Sequence, residues 1–235
     1  MLINDLVNML NELIDFIFPK TSLLSGERIE EGNSNSYIKD EEIHSIDRVS
    51  IQDLKEFRQK VNSDFAFSCF AFREGDEFSK LIYQIKYGGM KRLGKFLGDI
   101  TGKEFKEQIV KVKPEEFDLI IPVPLYRTKY RERGYNQSDL ICDGINEHLK
   151  IKFIPDLVIR VRHTSTQTKL NREERIDNMK DAFELNKKYK DELYGKKIIV
   201  VDDVVTTGST MNEVIKVLRD NQCGEIMAFT IAMAR

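Results

Sequence analysis

The sequence predicts an α/β protein built on a mostly parallel, doubly wound sheet, with a small N-terminal helical and irregular appendage. Three observations carry this. Strand-like runs alternate with helical spacings from residue 64 onward, the pattern of parallel βαβ units. Two of the runs, Leu119–Ile121 and Ile198–Val201, are apolar without alternation, as strands covered on both faces are. Both stop in loops of unusual composition: Pro122-Val123-Pro124-Leu125 after the first, and Asp202-Asp203-Val204-Val205-Thr206-Thr207-Gly208-Ser209-Thr210 after the second. In a doubly wound sheet both loops open on the same carboxyl edge, where such sheets bind ligands.

Taken in order, residues 2–18 have helical spacing through Leu6, Met9, Leu10, Leu13, Ile14 and Ile17, and Pro19 stops them. The polar face of this stretch is acidic, unlike a membrane-surface helix, so it is read as packing on the main domain. Residues 20–50 are polar, punctuated by Gly26 and Gly32, and form the weakest folding segment. Residues 51–63 are helical and join two units, 1–64 and 65–235. The aromatic run Phe65–Phe72 reads as a strand. A helix over 76–87 follows, with Phe78, Leu81, Ile82 and Ile85 on one side and Gly88-Gly89 as its stop. A second helix carries Leu93, Phe96, Leu97 and Ile100.

The strand at 117–124 comes next, then a basic segment with Arg127, Lys129, Arg131 and Arg133. Gly134–Ser138 opens a helix whose buried stripe is Leu140, Ile141, Ile145 and Leu149. Leu157–Ile159 is a short strand, and Arg160–Thr168 a polar loop without periodicity. Residues 170–179 are helical and Ala182–Leu185 is a short strand. After the strand ending at Asp202-Asp203 comes a helix with Met211, Val214, Ile215, Val217 and Leu218 inward and Ser209 or Thr210 as its cap. The last strand is Ile226–Ala232.

Composition bounds the function classes. Hydrophobic residues make up 41% and charged residues 32% of the 235 residues, and the net charge is −2. That argues against a surface that is wholly a nucleic-acid footprint, while leaving local basic patches open. The cysteines, Cys69, Cys142 and Cys223, are odd in number and far apart, as buried thiols in a reducing compartment are. No apolar run reaches membrane-spanning length, and the N-terminus lacks a basic leader, so a cytoplasmic protein without membrane insertion is expected.

The loop after Val201 has the chemistry of a phosphate cradle. Gly208 lets the backbone approach a ligand, Thr206, Thr207, Ser209 and Thr210 supply hydroxyls, and the following helix presents free N–H groups. Asp202 and Asp203 can each accept from a vicinal hydroxyl. Phosphate plus ribose hydroxyls points to a phosphorylated ribose. The pattern is neither G-x-x-x-x-G-K-[ST] nor G-x-G-x-x-G. The plain alternative is a strand ending in solvated acids before a capped helix. The second strand-end loop, with nearby basic residues in 127–133 and 160–175, could take a more highly charged group such as pyrophosphate. The plain alternative for each basic residue is a solvated face.

Val200–Thr210 resembles the phosphoribosyl pyrophosphate (PRPP) signature of type I phosphoribosyltransferases. Ile121–Leu125, Arg133-Gly134-Tyr135-Asn136-Gln137, Gln167 with Leu170, Arg175 with Asn178, Ala182-Phe183 and Lys86-Tyr87-Gly88-Gly89 match in order and spacing the ComF family. These are phosphoribosyltransferase-like proteins linked to DNA uptake in competent bacteria, and the similarity covers about 65–235. The resemblance implies a type I phosphoribosyltransferase sheet. It implies that Asp202 and Asp203 contact ribose as the catalytic acids, and that Thr206, Thr207, Gly208, Ser209 and Thr210 hold the 5-phosphate. Pro122, Val123, Pro124, Leu125 and Arg127 would bind pyrophosphate, and a mobile loop with Arg160, Arg162, Gln167, Lys169 and Arg175 would close over it. The reaction implied is attack at C1 of PRPP with pyrophosphate leaving, assisted by Mg²⁺ held by ligand and water and not by a protein cage. The acceptor is not legible.

The family usually begins with a four-cysteine zinc knuckle. Here Ser22, Ser25, Lys39 and Glu42 stand at those positions, so no zinc is expected. Three functions remain: a PRPP-dependent transferase, a non-catalytic PRPP- or nucleotide-binding scaffold for single-stranded DNA uptake proteins, and an ordinary base-salvage enzyme. The position of the signature and the Arg133–Gln137 motif disfavour the last. For a direct DNA role, basic segments 86–95 and 127–133 interleave Tyr87, Phe96, Tyr126 and Tyr130.

Overall fold

The computed structural model describes residues 17–73, 75–108, 116–162 and 181–235. Its elements are helices α1 (Asp40–Ser45) and α2 (Ile51–Val61), strand β1 (Phe65–Phe72), helices α3 (Glu77–Lys86) and α4 (Lys91–Gln108), β2 (Leu119–Pro122), helices α5 (Arg127–Arg133) and α6 (Gln137–Leu149), strands β3 (Lys152–Phe153), β4 (Val158–Arg160), β5 (Phe183–Leu185) and β6 (Ile198–Val205), helix α7 (Ser209–Asp220) and strand β7 (Ile226–Ala234). Of the helix expected over 2–18, residues 2–16 lie outside the described residues, as does the helix expected over 170–179. Among the described residues no helix is long and apolar enough to cross a membrane.

Five strands form one all-parallel sheet in the order β1-β7-β6-β2-β3. The unbroken apolar runs occupy its centre, and Ile120, Ile121 and Ile198–Val201 are fully buried. Helices α3, α4 and α6 cover one face with Leu81, Ile85, Leu97, Ile141 and Ile145. Helices α2 and α7 cover the other with Phe57, Val61, Val214 and Leu218. From β2 the chain runs through α5 and α6 to β3 at one edge. From β6 it runs through α7 to β7 on the other side. The connections part between β2 and β6, which leaves a crevice at their carboxyl ends.

Two expectations shift. The strand at 157–159 is not in the main sheet: β4 pairs antiparallel with β5, Ile159 opposite Glu184, as a separate ribbon. The sheet's edge is β3, only two residues long and too short to leave a periodic signal. The basic segment 127–133 is helical (α5), closed by Gly134 in the left-handed region.

On the first face α4 and α6 meet backbone to backbone. A Cβ on Gly144 would lie 2.6 Å from the Asp99 nitrogen, and one on Gly102 would lie 2.8 Å from Ile145 Cα. Glycine is required there by approach, not by dihedral angle.

Residues 20–50 are organised by polar contacts at the four positions named above. The Ser22 hydroxyl donates to Glu42 Oε2 at 2.5 Å, and the Lys39 backbone N–H donates to the same oxygen at 2.8 Å. Ser25 also hydrogen-bonds Glu42, and the Lys39 ammonium pairs with Glu27. Burial opposes ionisation of Glu42, but these hydrogen bonds outweigh it and hold its carboxyl below the usual range. Leu24, Ile29 and Ile38 are buried, and Lys80 of α3 donates to the Leu24 carbonyl at 3.1 Å.

Replacing Gly144 with Val should lower stability by about 1–3 kcal/mol or more, read as an earlier urea midpoint, since neither helix backbone can yield. Glu42→Ala removes the acceptor of Ser22 and Lys39 and should cost about 1–3 kcal/mol at neutral pH. Because the folded carboxyl titrates low, that contribution is present above its unfolded pKa and fades as pH falls through the folded value. Unfolding of wild type and variant should therefore converge in acid.

Candidate functional site

The crevice is set by strand pairing. β2 and β6 run in register with Pro122 opposite Val201, and the Val123 N–H donates to the Val201 carbonyl at 2.8 Å. The loop at Pro122–Leu125 therefore lies directly beside Asp202-Asp203.

Along β6, Ile199 and Val201 face the α3/α4/α6 core, but so does Val204, while Val205 faces the opposite core. The two-residue alternation slips by one across the acid pair. Both carboxylates consequently reach the same side. Asp202 Oδ1 accepts from the Ser138 hydroxyl at the start of α6 (3.1 Å) and from the Asp203 N–H (2.9 Å). Asp203 Oδ1 accepts from the Val204 N–H at 2.7 Å, and its Oδ2 lies 2.9 Å from the Lys86 ammonium at the end of α3. Asp203 is 3% exposed. Burial, and then the Asp203 carboxylate, push Asp202 up to about 7, against the pull of Lys86.

The hydroxyl loop closes the other end. Gly208 has φ +78°, and a Cβ there would lie 2.8 Å from Val61 Cγ1. Both demand glycine. Gly208, and not Ser209 or Thr210, is the residue that caps α7. Gly208 offers no capping side chain, the Ser209 N–H makes only a long contact to Thr207 Oγ1 (3.4 Å), and the first turn carries no acid, so the positive end of α7 stays available to an anion. The Thr207 and Ser209 hydroxyls lie 3.0 Å apart. Lys60, on α2, donates to the Thr206 carbonyl at 3.1 Å, so a helix outside the signature braces the cradle.

Basic residues gather opposite. Arg127 and Arg160 line one cavity of about 410 Å³ together with Pro124, Leu125, Asn136 and Asp139. The proton affinity of Lys129 is depressed by burial and then by Arg160, Arg133 and Lys86, which marks a concentration of positive charge. Burial also lowers that of Arg160, against the attraction of Asp202. Burial raises Asp139 to about 6 although Asn136 donates to it at 2.7 Å. Arg162 is exposed, and Gln167, Lys169 and Arg175 lie outside the described residues.

The Arg133–Gln137 motif has no role legible in the sequence. It is the seam of the site. The Tyr135 hydroxyl donates to the Ile85 carbonyl near the end of α3. Asn136 Nδ2 donates to the Val123 carbonyl at 3.1 Å, and its Oδ1 accepts from the Ser138 N–H, capping α6. Arg133 donates to Gln137 and stands 5.4 Å over the Tyr87 ring. Lys86 lies in the Lys86–Gly89 motif and Lys129 in the basic segment 127–133, but the contacts of Lys86 with Asp203 and of Ser138 with Asp202 join segments far apart in the chain and are not legible there. Of the aromatics proposed for DNA, Tyr87 and Tyr130 are exposed, whereas Phe96 packs on Tyr37 and the core.

The acid pair does not fit as a metal cage. Three of its four oxygens already face protein donors or the Lys86 ammonium. Among the described residues no group of three or more His, Cys, Asp or Glu could hold an ion.

A family model described as "Phosphoribosyl transferase domain" matches residues 149–235. The chain is 43% identical over 117 residues to "Competence protein F" of Haemophilus influenzae, covering 50% of this chain and 51% of that one. It is 32% identical over 153 residues to "DNA utilization protein YhgH" of Escherichia coli, covering 65% and 66%. It is 28% identical over 146 residues to "Competence protein ComFC" of Streptococcus pneumoniae, covering 62% and 59%. The chain thus spans between about half and two thirds of the length of these relatives. With the parallel sheet, the crevice and the signature loop, these matches make the chain a member of the ComF family of type I phosphoribosyltransferase-like proteins.

Proposed function

We propose that this protein binds PRPP in the crevice between β2 and β6 and transfers its phosphoribosyl group to an acceptor, releasing pyrophosphate. One observation carries the reading. The carboxyl ends of two paired strands bring together an anion-ready helix start, a pair of hydroxyl acceptors and a cluster of cations. Each end matches one part of PRPP. The loop Thr206–Thr210 with the α7 N-terminus suits the 5-phosphate, and Asp202 and Asp203 suit the ribose hydroxyls. Pro122–Leu125 with Arg127, Lys129 and Arg160 suits the pyrophosphate. Mg²⁺ would travel on the ligand's own oxygens and water. Fixed cations near the leaving group would stabilise the charge that develops on it. No nucleophilic side chain is called for.

The names of the relatives support a role in competence or DNA utilization. A second reading keeps PRPP or nucleotide binding without turnover, as a scaffold for single-stranded DNA or its uptake proteins. It is favoured by the exposed Tyr83 and Tyr87, whose ring centroids lie 5.0 Å apart beside Lys86 and Arg133. In either case the segment around Glu42 is held by hydrogen bonds and takes no zinc.

Calorimetric titration of PRPP with Mg²⁺ should show saturable binding to wild type and a loss of roughly a hundredfold or more in Asp202→Asn/Asp203→Asn. Retained binding by a folded double variant would overturn the assignment of the site, and pyrophosphate release with trial acceptors separates transferase from scaffold. The acid pair also sets a pH signature. Asp202 is raised in the fold, so the native state favours its proton, and stability declines as pH climbs from the unfolded value near 4 towards about 7. Asp202→Asn should match wild type near pH 4 and exceed it at pH 8, by about 1–3 kcal/mol after allowance for solvent screening of a half-buried group. Denaturant unfolding across that range checks it.

A further inference from the structure

Lys86 lies far from the signature loop in sequence, yet its ammonium stands 2.9 Å from Asp203 Oδ2, with the two side chains 26% and 5% exposed. We infer that Lys86 is the resident counter-cation of the acid pair, a positioning residue that holds the Asp203 carboxylate in place by direct ion pairing. Recognition of vicinal hydroxyls at this site then needs no divalent metal. The ribose half of this inference rests on the phosphoribosyl reading above, and the charge half does not.

Asp203 Oδ1 is engaged by the Val204 N–H, and Asp202 Oδ1 by Ser138 and the Asp203 N–H. With Lys86 on Asp203 Oδ2, a metal ion bridging the two carboxylates would have to displace a half-buried ammonium. Lys86 is also fixed in place. It is the last residue of α3, where the helix dipole favours a cation, and the preceding Ile85 carbonyl accepts from the Tyr135 hydroxyl. The charged and titratable groups around it are Asp202 and Asp203 on β6, Tyr87 beside it and Lys129 on α5. Burial works against its charge, but Asp203 and then Asp202 more than offset that, and the lysine stays protonated. Two adjacent carboxylates without this ammonium would have to protonate or recruit another cation.

The test reads the ligand-free protein first. Carboxyl-carbon NMR should show a titration midpoint of Asp202 that rises in Lys86→Met, since the ammonium opposes its upward shift. Millimolar Mg²⁺ should leave the wild-type signals in place and move those of the variant. Lys86→Arg, which keeps the charge, should restore a midpoint near wild type and serves if the Met variant does not fold. An unmoved Asp202 midpoint in a folded Lys86→Met, or wild-type Asp203 signals displaced by Mg²⁺, would sink the proposal. Calorimetry with ribose 5-phosphate, which lacks the metal-binding pyrophosphate, follows. Wild type should bind with similar affinity in EDTA and in Mg²⁺, and Lys86→Met should weaken binding in EDTA by roughly tenfold or more. Wild-type binding that vanishes in EDTA overturns the metal-free claim. Binding of neither ribose 5-phosphate nor PRPP in any buffer overturns the phosphoribosyl reading, and the NMR arm still decides on Lys86.

Discussion

A buried strand that ends in two adjacent carboxylates is the constraint around which this molecule is built. Neighbouring negative charges at the edge of a low-dielectric core are tolerated only if fixed donors and a cation meet them. β6 solves this by slipping its alternation across Asp202 and Asp203, which turns both towards α3 and α6. One helix then has to end at the pair, bringing Lys86, and another has to begin there, bringing Ser138. The segment between α5 and α6 joins these demands. Tyr135 holds the end of α3, Asn136 holds the Pro122–Leu125 loop, and Ser138 holds Asp202. A run of four residues thus couples the end of α3, the Pro122–Leu125 loop and the acid pair.

That arrangement explains what the sequence made legible. The central strands, their loops and the helix after Gly208 are local patterns: an apolar run, a hydroxyl-rich turn, a helical stripe. Their neighbours in space are also neighbours in the chain, so reading along it suffices. Phe78, Leu81, Ile82 and Ile85 were assigned to one face by spacing alone, and all four are buried. The contacts of Lys86 with Asp203 and of Lys60 with Thr206 join segments far apart, and nothing in a lysine's own surroundings announces them. The edge strand failed for another reason. β3 is two residues long, while the more strand-like Val158–Arg160 pairs away from the sheet in a ribbon with β5. A propensity for strand does not say which strand will be the partner.

The N-terminal turn is organised around one carboxylate. The Ser22 hydroxyl, Ser25 and the Lys39 N–H all converge on Glu42. Sequence alone could register the absence of thiolates. It could not show that Glu42 collects donors from both turns, because that depends on how Leu24 and Ile38 seat the two halves against α3 and the core.

Strand β1 has a further consequence, in the order in which the fold can form. It lies at the sheet's edge and pairs with β7, Phe65 beside Met227 and Phe72 beside Ala234. During synthesis a strand carrying Phe65, Phe67, Phe70 and Phe72 emerges before its partner, with nearly the whole sheet still to be made. Residues 47–49 bridge its outer edge, but closing so long a loop is slow, and until it closes the edge of β1 that takes β7 is open to the wrong neighbour. A ribosome that stalls before Ile226 therefore holds a chain whose central strand pair can form but whose aromatic edge cannot be covered, and that edge is where misassembly or chaperone capture would begin.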